Sequence, residues 1–336
     1  MYSTFSEDGQ FPPSHIQLSQ HKGLWRSYVC YLTPYGPVTC PAPISLAEFG
    51  TLALEFSALT MHTRNPKYDR KISELTEALD RDWADRFPIY PDEFYPLGGF
   101  PDKYSVAGGA DSFYEYLLKE YVHSGHVKAK LKTMYEKSVH GIIDNLLQQD
   151  TSGYLYLSEL INGQTTSKMD HLACFFPGTL IYGAIHIPSQ ASTVLIDVAR
   201  HLARTCFEMY NTPTGLAAES TWFDNGLSRS LLSEHHYALR PEAVESWYYL
   251  YVYTKDPAYR DWGWKVFTAI VKHCRTEHGY AEMGNVETGE LVDSMPSYLL
   301  SETFKYLYLL FSDQTIDLKQ WVFSTEGHLF RVKKRS

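Results

Sequence analysis

The 336-residue sequence lacks several features that would assign it to a class at once. Acidic residues outnumber basic ones, 39 to 30, and the only block of like charge is the C-terminal RVKKRS. Nucleic-acid-binding surfaces concentrate lysine and arginine, so we expect no nucleic-acid partner. Apolar runs such as YLYLLF and WYYLYVY are much shorter than the roughly 20 residues that cross a bilayer. We therefore expect no membrane span in this chain.

Targeting signals are equally scarce at the N-terminus. The first ten residues, MYSTFSEDGQ, contain neither a basic region nor an apolar core. A secretory signal peptide needs both. From these residues alone we expect the chain to have no secretory signal.

Cysteine is also rare and unclustered. No two cysteines form a C-x-x-C pair, which argues against a zinc site. An odd number in so long a chain does not match a small disulfide-rich scaffold. Spacing alone favours buried thiols and leaves a bridge open as the alternative. The five are Cys30, Cys40, Cys174, Cys206 and Cys274.

Hydrophobic residues, in contrast, are abundant at 44%, and 15% of the residues are aromatic. Such a chain can bury a large core, either as one closed architecture or as two domains. Helical periodicity dominates, and the predicted helices come in pairs. In each pair one helix is almost wholly apolar or aromatic, and its partner is amphipathic. The first pair is ISLAEFGTLALEFSALTMHT (44 to 63) with YDRKISELTEALDRDWADRF, and the fourth is RPEAVESWYYLYVYTK with PAYRDWGWKVFTAIVKHCRTE.

This alternation predicts an all-α fold in which an inner ring of helices is wrapped by an outer ring. A helix that is apolar all round must be buried on all sides. A helical solenoid is the alternative, but solenoids repeat at a fixed length with a recurring consensus, and here the pair lengths vary. We therefore favour a closed α/α toroid. The extended pieces TSGYLYLSEL and EHGYAEMGNVETGELVD predict short hairpins at one end of it.

Carboxylates recur on the predicted inner helices. Each one alone has a structural explanation: Asp111 as an N-cap, Glu242 as a first-turn acid, Glu302 as a partner for Lys305. Ionised groups are seldom buried without partners, however, and several together indicate a function. If the inner helices begin at one end of the ring, their acids converge on a polar pocket lined by Tyr and Phe, which suits a sugar. The acids are Glu48, Glu55, Asp111, Glu115, Glu242, Glu245 and Glu302.

Five longer motifs resemble a known family. GGADSFYEYLLK, KMDHLACFFPGTL, LRPEAVESWYYLY, DSMPSYLLSETFKYLYLLFSD and VFSTEGH occur in this order and are similar to the class I α-1,2-mannosidases, glycoside hydrolase family 47. The resemblance implies an (α/α)7 barrel, an inverting mechanism, a Ca²⁺ cofactor, and removal of α-1,2-linked mannose from high-mannose N-glycans. It divides the chain into an irregular Pro-rich segment (1–44), one glycosidase-like domain (45–328) and a basic tail (329–336).

The same resemblance assigns roles to individual residues. Glu242 matches the general base, Asp111 and Glu219 match further active-site acids, and Thr325 matches the threonine that binds calcium directly. Positions that contact the sugar or hold metal-bound waters are matched by Glu48, His171, Arg240, Glu245, Tyr298, Glu302 and Glu326. Cys174 and Cys206 match a disulfide of the family, which implies an oxidising compartment of the secretory pathway, the endoplasmic reticulum or Golgi, or secretion. Cys30, Cys40 and Cys274 stay unassigned.

One part of the family's pattern has no match. The proton donor of the family lies upstream, in an FE segment within two helical hairpins, and residues 1–44 contain no such segment. We therefore expect about five of the seven hairpins, with inner helices exposed along two edges. Two hypotheses follow: a calcium-dependent α-1,2-mannosidase, or a noncatalytic mannose-glycan binder that lacks its proton donor. A helical scaffold without a ligand would leave the acids unexplained.

Overall fold

The computed structural model describes residues 15–17, 22–24, 27–33, 36–41, 43–83, 87–95, 102–223, 228–229, 235–313 and 316–334, with the backbone alone in the strands before residue 43.

Helices make up most of the described part. They are α1 (Leu46–Gly50), α2 (Ala53–Thr63), α3 (Lys67–Trp83), α4 (Asp111–His123), α5 (Ala129–Asn145), α6 (Phe176–His186), α7 (Ser192–Glu208), α8 (Glu242–Thr254), α9 (Ala258–His273) and α10 (Phe304–Phe311). A 3-10 turn (His171–Phe175) precedes α6, and a π-helical turn (Leu299–Thr303) precedes α10. None of the helices in the described ranges is both long enough and apolar enough to cross a bilayer.

The helices pack as the alternating pattern predicts. Consecutive helices form the pairs α2/α3, α4/α5, α6/α7 and α8/α9, and the first members contact one another in the series α2, α4, α6, α8, α10. The inner helix α8 is buried from Ala243 to Leu250 because its residues are apolar or aromatic on every face. The outer helix α3 buries only one stripe, which includes Ile72, Leu75 and Leu79.

One predicted helix is interrupted. The pattern from 44 to 63 predicts one continuous helix, but the structure ends α1 at Gly50 and begins α2 at Ala53. The ring of Phe113 on α4 packs so closely on Gly50 that a Cβ there would lie 2.6 Å from it. The amides of Leu46 and Ala47 are fixed by Asp92 O and Gly109 O, at 2.8 and 2.9 Å. These contacts hold α1 against α4 and the loop before it, and the helix is interrupted between Gly50 and Ala53.

Short antiparallel strands connect the helices. They are β1 (His15–Gln17), β2 (Lys22–Leu24), β3 (Ser27–Thr33), β4 (Gly36–Pro41), β5 (Ile44–Ser45), β6 (Glu93–Phe94), β7 (Lys103–Tyr104), β8 (Leu147–Gln149), β9 (Leu155–Leu157), β10 (Leu160–Ile161), β11 (Gln164–Thr165), β12 (Lys168–Asp170), β13 (Ser220–Trp222), β14 (Ser228–Arg229), β15 (Glu282–Asn285), β16 (Glu290–Val292), β17 (Trp321–Phe323) and β18 (Leu329–Arg331). Within the described part they form sheets of two or three strands.

Both extended pieces that the sequence indicated lie in hairpins, although the first supplies only the turn and second strand, because β8 precedes it. β8 pairs with β9, and β15 pairs with β16. Each hairpin follows an outer helix and precedes the next inner helix, so both lie at the end of the barrel where the inner helices begin. The candidate acids at the first turns of α4 and α8 lie at this same end.

The N-terminal and C-terminal segments contain strands as well. In the N-terminal segment, Tyr28 lies opposite Cys40 in the pairing of β3 with β4. Near the C-terminus, β18 pairs with β17, and Lys333 Nζ donates a hydrogen bond to Ser57 Oγ at 2.9 Å. The amide of Lys333 also donates to His123 O. Lys333, within the predicted basic tail, is therefore held against α2 and α4, while the division of the chain at 44 and 328 stays a prediction.

Apolar side chains are exposed at both ends of the inner-helix series. Met61 on α2 is 52% exposed, and Tyr308 on α10 is 72% exposed. Helix α10 packs against α8 and α9. Large exposed apolar side chains also occur on the outer helices, at Val194 on α7 and Trp264 on α9, so the two uncovered edges stay a prediction.

Candidate active site

A cleft opens where the inner helices begin. Asp111 is the first residue of α4 and Glu242 is the first residue of α8, so two acids enter the cleft from two different helices. Carboxylates at helix N-termini are stabilised by the helix dipole. The cleft is lined by Asp111, Ser112, Glu115, Leu172, Phe175, Pro241, Glu242, Glu245, Glu302 and Thr325.

Helix α4 contributes a charged stripe that runs inward. Asp111, Glu115 and Lys119 are four residues apart and therefore lie on one face. Glu115 and Lys119 are each only 3% exposed. Lys119 Nζ contacts Glu115 Oε1 on its own helix and lies 3.6 Å from Glu245 Oε1 on α8. The stripe therefore ends in a buried cation between two carboxylates.

Helix α8 contributes Glu242 and Glu245, which are three residues apart. Glu245 is 7% exposed. Its Oε1 accepts a hydrogen bond from Tyr306 Oη at 3.1 Å. Burial raises the pKa of Glu245, although the neighbouring Lys119 ammonium acts in the opposite direction. Both acids lie on the same face of α8. Glu242 faces the cleft, and Glu245 contacts the buried Lys119 ammonium below it.

His171 lies behind Glu242. The imidazole is fully buried, with Nδ1 3.5 Å from Glu242 Oε2 and Nε2 2.8 Å from Tyr210 Oη. It precedes α6 in the 3-10 turn whose N-cap is Asp170. His171 can therefore orient the Glu242 carboxylate, and the predicted contact of His171 with a sugar stays a prediction.

Asp111 is placed to carry a proton. Its pKa is raised to about 6, chiefly by burial and also by the nearby charge of Glu242, while the hydrogen bond from the Ser112 amide opposes both. Because Glu242 and Asp111 share one cleft, the site offers one acid that holds a proton up to mildly acidic pH beside a second carboxylate. That pairing is the usual requirement for general acid and base catalysis.

Glu302 projects from the π-helical turn before α10. Its pKa is raised to about 9, chiefly by burial and also by the charges of Glu245, Glu326 and Glu242. The alternative pairing with Lys305 does not occur, because Lys305 Nζ donates to Gly327 O at 2.9 Å. Single π-helical turns are frequent at functional sites. Glu302 therefore stands mainly among negative charges, which the Lys119 ammonium offsets only in part.

Thr325 reaches the cleft from the turn of the β17–β18 hairpin. Its amide donates a long hydrogen bond, 3.4 Å, to Tyr116 Oη, and that hydroxyl donates to Glu55 Oε1 at 3.0 Å. Burial raises the pKa of Glu55. The hairpin packs against α4. Residues more than 200 positions apart thus meet at the floor of the cleft.

Two predicted residues, Glu48 and Glu326, are exposed. Glu326 follows Thr325, and its charge acts on both Glu302 and Glu55. Glu48 lies in the first turn of α1, where its amide donates to Ser45 Oγ. It is not among the residues that line the cleft. Its role toward a sugar stays a prediction.

Arg240, Glu219 and Tyr298 lie together close to Glu242. Arg240 Nε donates to Glu219 Oε2 at 2.6 Å, and Tyr298 Oη donates to Ala238 O at 2.7 Å. Burial lowers the pKa of Arg240, but the charges of Glu242 and Glu219 oppose this, and the pKa is raised overall. The guanidinium is therefore permanently charged, and the pair Arg240–Glu219 forms a polar rim beside the general-base candidate.

The predicted disulfide is confirmed. Cys174 and Cys206 are bonded, with their Cα atoms 5.9 Å apart. The bond joins the 3-10 turn before α6 to α7, and it fits an oxidising compartment. Cys274 is a buried free thiol.

Sequence reasoning missed two contributors to the site. Lys119 stands inside a quoted motif, and its spacing from Asp111 and Glu115 was the signal that could have identified it. Tyr306, which holds Glu245, carries no such signal, because its partner lies 61 residues away on another helix.

Comparisons with known proteins agree on one family. The family model for glycosyl hydrolase family 47 matches residues 1–332. Mannosyl-oligosaccharide 1,2-alpha-mannosidase IC of Homo sapiens is 38% identical over 302 residues, 88% of this chain and 48% of that protein. Mannosyl-oligosaccharide 1,2-alpha-mannosidase MNS1 of Arabidopsis thaliana is 39% identical over 299 residues, 87% of this chain and 53% of that protein. The chain spans about half the length of these two relatives.

The comparison of structures supports the fold. The α-1,2-mannosidase from Trichoderma reesei superposes with a TM-score of 0.83 at 24% identity, over 99% of this chain and 71% of that chain. Together with the helix pairs described above, this match confirms the predicted α/α-barrel fold.

Proposed function

The chain belongs to glycosyl hydrolase family 47, and from this membership and the cleft we propose that it is a calcium-dependent, inverting hydrolase of α-1,2-linked mannose in high-mannose N-glycans. The observation that supports the proposal most strongly is the convergence of Asp111, Glu242 and Thr325 on one cleft. Three separate elements deliver them: the start of α4, the start of α8 and the β17–β18 turn.

Glu242 serves as the general base in this proposal. Inversion requires a carboxylate that holds a water on the face of the sugar opposite the leaving group. Glu242 Oε2 is buried and has no hydrogen-bond partner within the described part of the protein. The Glu242 side chain is nevertheless 15% exposed and lines the cleft, so the carboxylate can hold the attacking water, while His171 Nδ1, 3.5 Å from Oε2, limits its movement.

Asp111 serves as the proton donor. A carboxyl whose pKa is about 6 keeps its proton in mildly acidic solution, unlike an ordinary aspartate. It can pass that proton to the oxygen of the departing mannose. The proposal therefore does not depend on an acid from another segment.

The residues at the cleft floor fit a calcium ion. No group of three or more His, Cys, Asp and Glu side chains in the described ranges is arranged to hold a metal directly. Calcium, however, takes six to eight oxygen ligands, including hydroxyls, carbonyls and waters. Thr325 would supply its hydroxyl and carbonyl oxygens, and Glu245 and Glu302 would hold the bound waters. Burial and the neighbouring carboxylates raise the pKa of Glu302, and a nearby cation would offset the repulsion between these carboxylates. When bound, the ion would hold sugar hydroxyls and favour a distorted ring.

The disulfide supports a place in the secretory pathway. Cytosolic thiols are kept reduced, whereas disulfides persist in the endoplasmic reticulum, Golgi and extracellular space. High-mannose N-glycans are present in the same compartments. We propose the endoplasmic reticulum or Golgi, or secretion, as the location of this chain.

Release of free mannose tests the proposal. The chain is incubated with a high-mannose oligosaccharide in calcium, in chelator, and as the variants Glu242→Gln and Glu277→Gln. Glu277 is exposed and outside the cleft, so it is a matched control. We expect release by the wild type and Glu277→Gln in calcium, loss in chelator, and a loss of roughly 10²- to 10⁴-fold in Glu242→Gln.

Two outcomes would contradict the proposal. Mannose release that persists unchanged in chelator would show that the activity does not need calcium. Glycan binding by a folded chain that releases no mannose would favour the noncatalytic binder instead.

A further inference from the structure

Lys119 is the feature of the site that the proposed chemistry leaves unused. It lies on α4 with its side chain 3% exposed. A lysine is almost never buried so deeply unless it is paired. Its ammonium meets Glu115 of α4 and Glu245 of α8, so it joins two inner helices that α6 separates along the chain.

The surroundings of Lys119 are closed to water. The space lined by Glu115, Lys119, Thr179, Tyr182 and Glu245 has no room for a water molecule. A water needs a polar cavity of at least one probe sphere and several partners. No solvent molecule therefore lies between the ammonium and the two carboxylates in this space. Burial lowers the pKa of Lys119, and the charge of Glu245 opposes this shift.

Lys119 lies on the same face of α4 as Asp111, one of the two proposed reacting groups. Asp111 and Lys119 are eight residues apart on one helical face, a rise of about 12 Å. Glu242 and Glu245 are one turn apart on α8. The contact between Lys119 and Glu245 thus links the helix carrying the acid to the helix carrying the base. If this contact is lost, the angle or offset of the two helices can change, and with it the positions of the acids in their first turns.

We propose that Lys119 is a positioning residue, whose buried contact with Glu245 sets the separation of Asp111 and Glu242 across the cleft. The proposal rests on the function proposed above for these two acids. An inverting pair must keep enough space for a water, with carboxyl groups about 6.5 to 9.5 Å apart. A shift of about 1 Å in such a pair can cost roughly 10²-fold in rate.

A second lysine provides a matched control. Lys128 also contacts two carboxylates, Glu120 and Asp69, the latter at 3.0 Å. It ties α4 to α3 on the outer side of the barrel, away from the cleft. If Lys119 only supports folding, Lys119→Met should affect the protein in the same way as Lys128→Met.

The first test is a double-mutant cycle on turnover. Lys119→Met, Glu245→Gln and the double variant are compared with wild type and Lys128→Met for kcat, KM and melting temperature. We expect Lys119→Met to lower kcat roughly 10- to 100-fold with KM nearly unchanged, and the double variant to be no slower than the slower single variant. Lys128→Met should lower only the melting temperature. Wild-type kcat in Lys119→Met, or additive losses in the double variant, would overturn the proposal.

A charge-balanced variant separates positioning from charge. Lys119→Met/Glu115→Gln removes one cation and one anion, and this double variant protects against failure of Lys119→Met to fold. We expect it to fold and to remain slow, because the contact with Glu245 is still lost. Recovery of wild-type kcat would show that charge balance, and not position, was what Lys119 supplied.

Crystal structures test the positioning role independently of any measurement of turnover. In wild type and Lys119→Met/Glu115→Gln, the distance between the Asp111 and Glu242 carboxyl groups is compared. We expect a change of about 1 Å, the scale at which rate is lost. An unchanged separation overturns the positioning role. If the wild type releases no mannose, the proposed function fails, and this pair of structures still tests Lys119.

Discussion

At the scale of single residues, burial acts on two carboxyls of the cleft with different results. Burial is the largest cause of the raised pKa of both Asp111, to about 6, and Glu302, to about 9. Asp111 accepts a hydrogen bond from the Ser112 amide, which favours its charged form. Glu302 has the charges of Glu245 and Glu326 beside it instead. One site therefore contains an acid able to exchange its proton and another that retains it.

The pH dependence of turnover should report Asp111. A proton donor works only while protonated, so we expect kcat/KM to fall above about pH 6, approaching tenfold per pH unit. The measurement is a pH profile of mannose release from pH 4 to 8. In Asp111→Asn the residual activity should no longer show this descending limb. A limb that persists unchanged in Asp111→Asn would assign it to another group.

At the scale of elements, the disulfide fixes the support of the general base. Cys174 lies in the same 3-10 turn as His171, which stands behind Glu242. Ser246 of α8 donates a short hydrogen bond to Cys174 O. The bond to Cys206 thus holds the turn between α7 and α8. Loss of the bond should affect both stability and the orientation of the base.

Removal of this disulfide should be measurable as a loss of stability. The two cysteines are 32 residues apart, and closing a loop of that length contributes about 3 to 4 kcal/mol to the free energy of unfolding. We expect Cys174→Ala/Cys206→Ala to lose about that amount in denaturant unfolding. Reductant should lower the stability of the wild type and leave the double variant unaffected. Equal sensitivity of both to reductant would contradict this.

The sequence predicts elements better than it predicts contacts between them. The helix pairs follow from periodicity, and the cluster of acids follows from their places on apolar helices. The break between α1 and α2 does not, because it depends on Phe113 packing against Gly50 from another helix. The contact of Lys119 with Glu245 is likewise set by how the inner helices meet, which no local pattern encodes. The family resemblance predicts Thr325 as a site residue, although no local pattern predicts the hairpin that carries it.

At the scale of the whole molecule, the barrel concentrates negative charge where its inner helices begin. The formal charge of the chain is −9. Several of the carboxylates responsible are gathered around one cleft, with Lys119 as the buried cation among them. Charge gathered in this way destabilises the folded state relative to the unfolded one, in which the same groups are separated.

Folding stability should therefore fall as pH rises when calcium is removed. The pKa of Glu302 is about 9 in the folded chain and 4.5 as an ordinary glutamate. A raised pKa means that the folded state holds a proton which the unfolded state releases, so its stabilising effect is complete below about pH 4.5 and is lost as pH rises through 9. We expect the melting temperature in chelator to decline over this window, and the decline to be smaller in Glu302→Gln. Thermal unfolding of the two proteins from pH 5 to 9 makes the comparison. Parallel curves would contradict the assignment.

The turn that carries Thr325 comes after every helix described here in the order of the chain. A ribosome adds residues from the N-terminus onward, so the helices of the barrel leave the ribosome before the hairpin that reaches the cleft floor. A chain whose synthesis stops before residue 325 would contain both Asp111 and Glu242 and yet lack the proposed direct ligand of the metal. Under the proposed function, competence to bind the ion is therefore acquired late in translation, and calcium binding would distinguish such interrupted chains from those that include the hairpin.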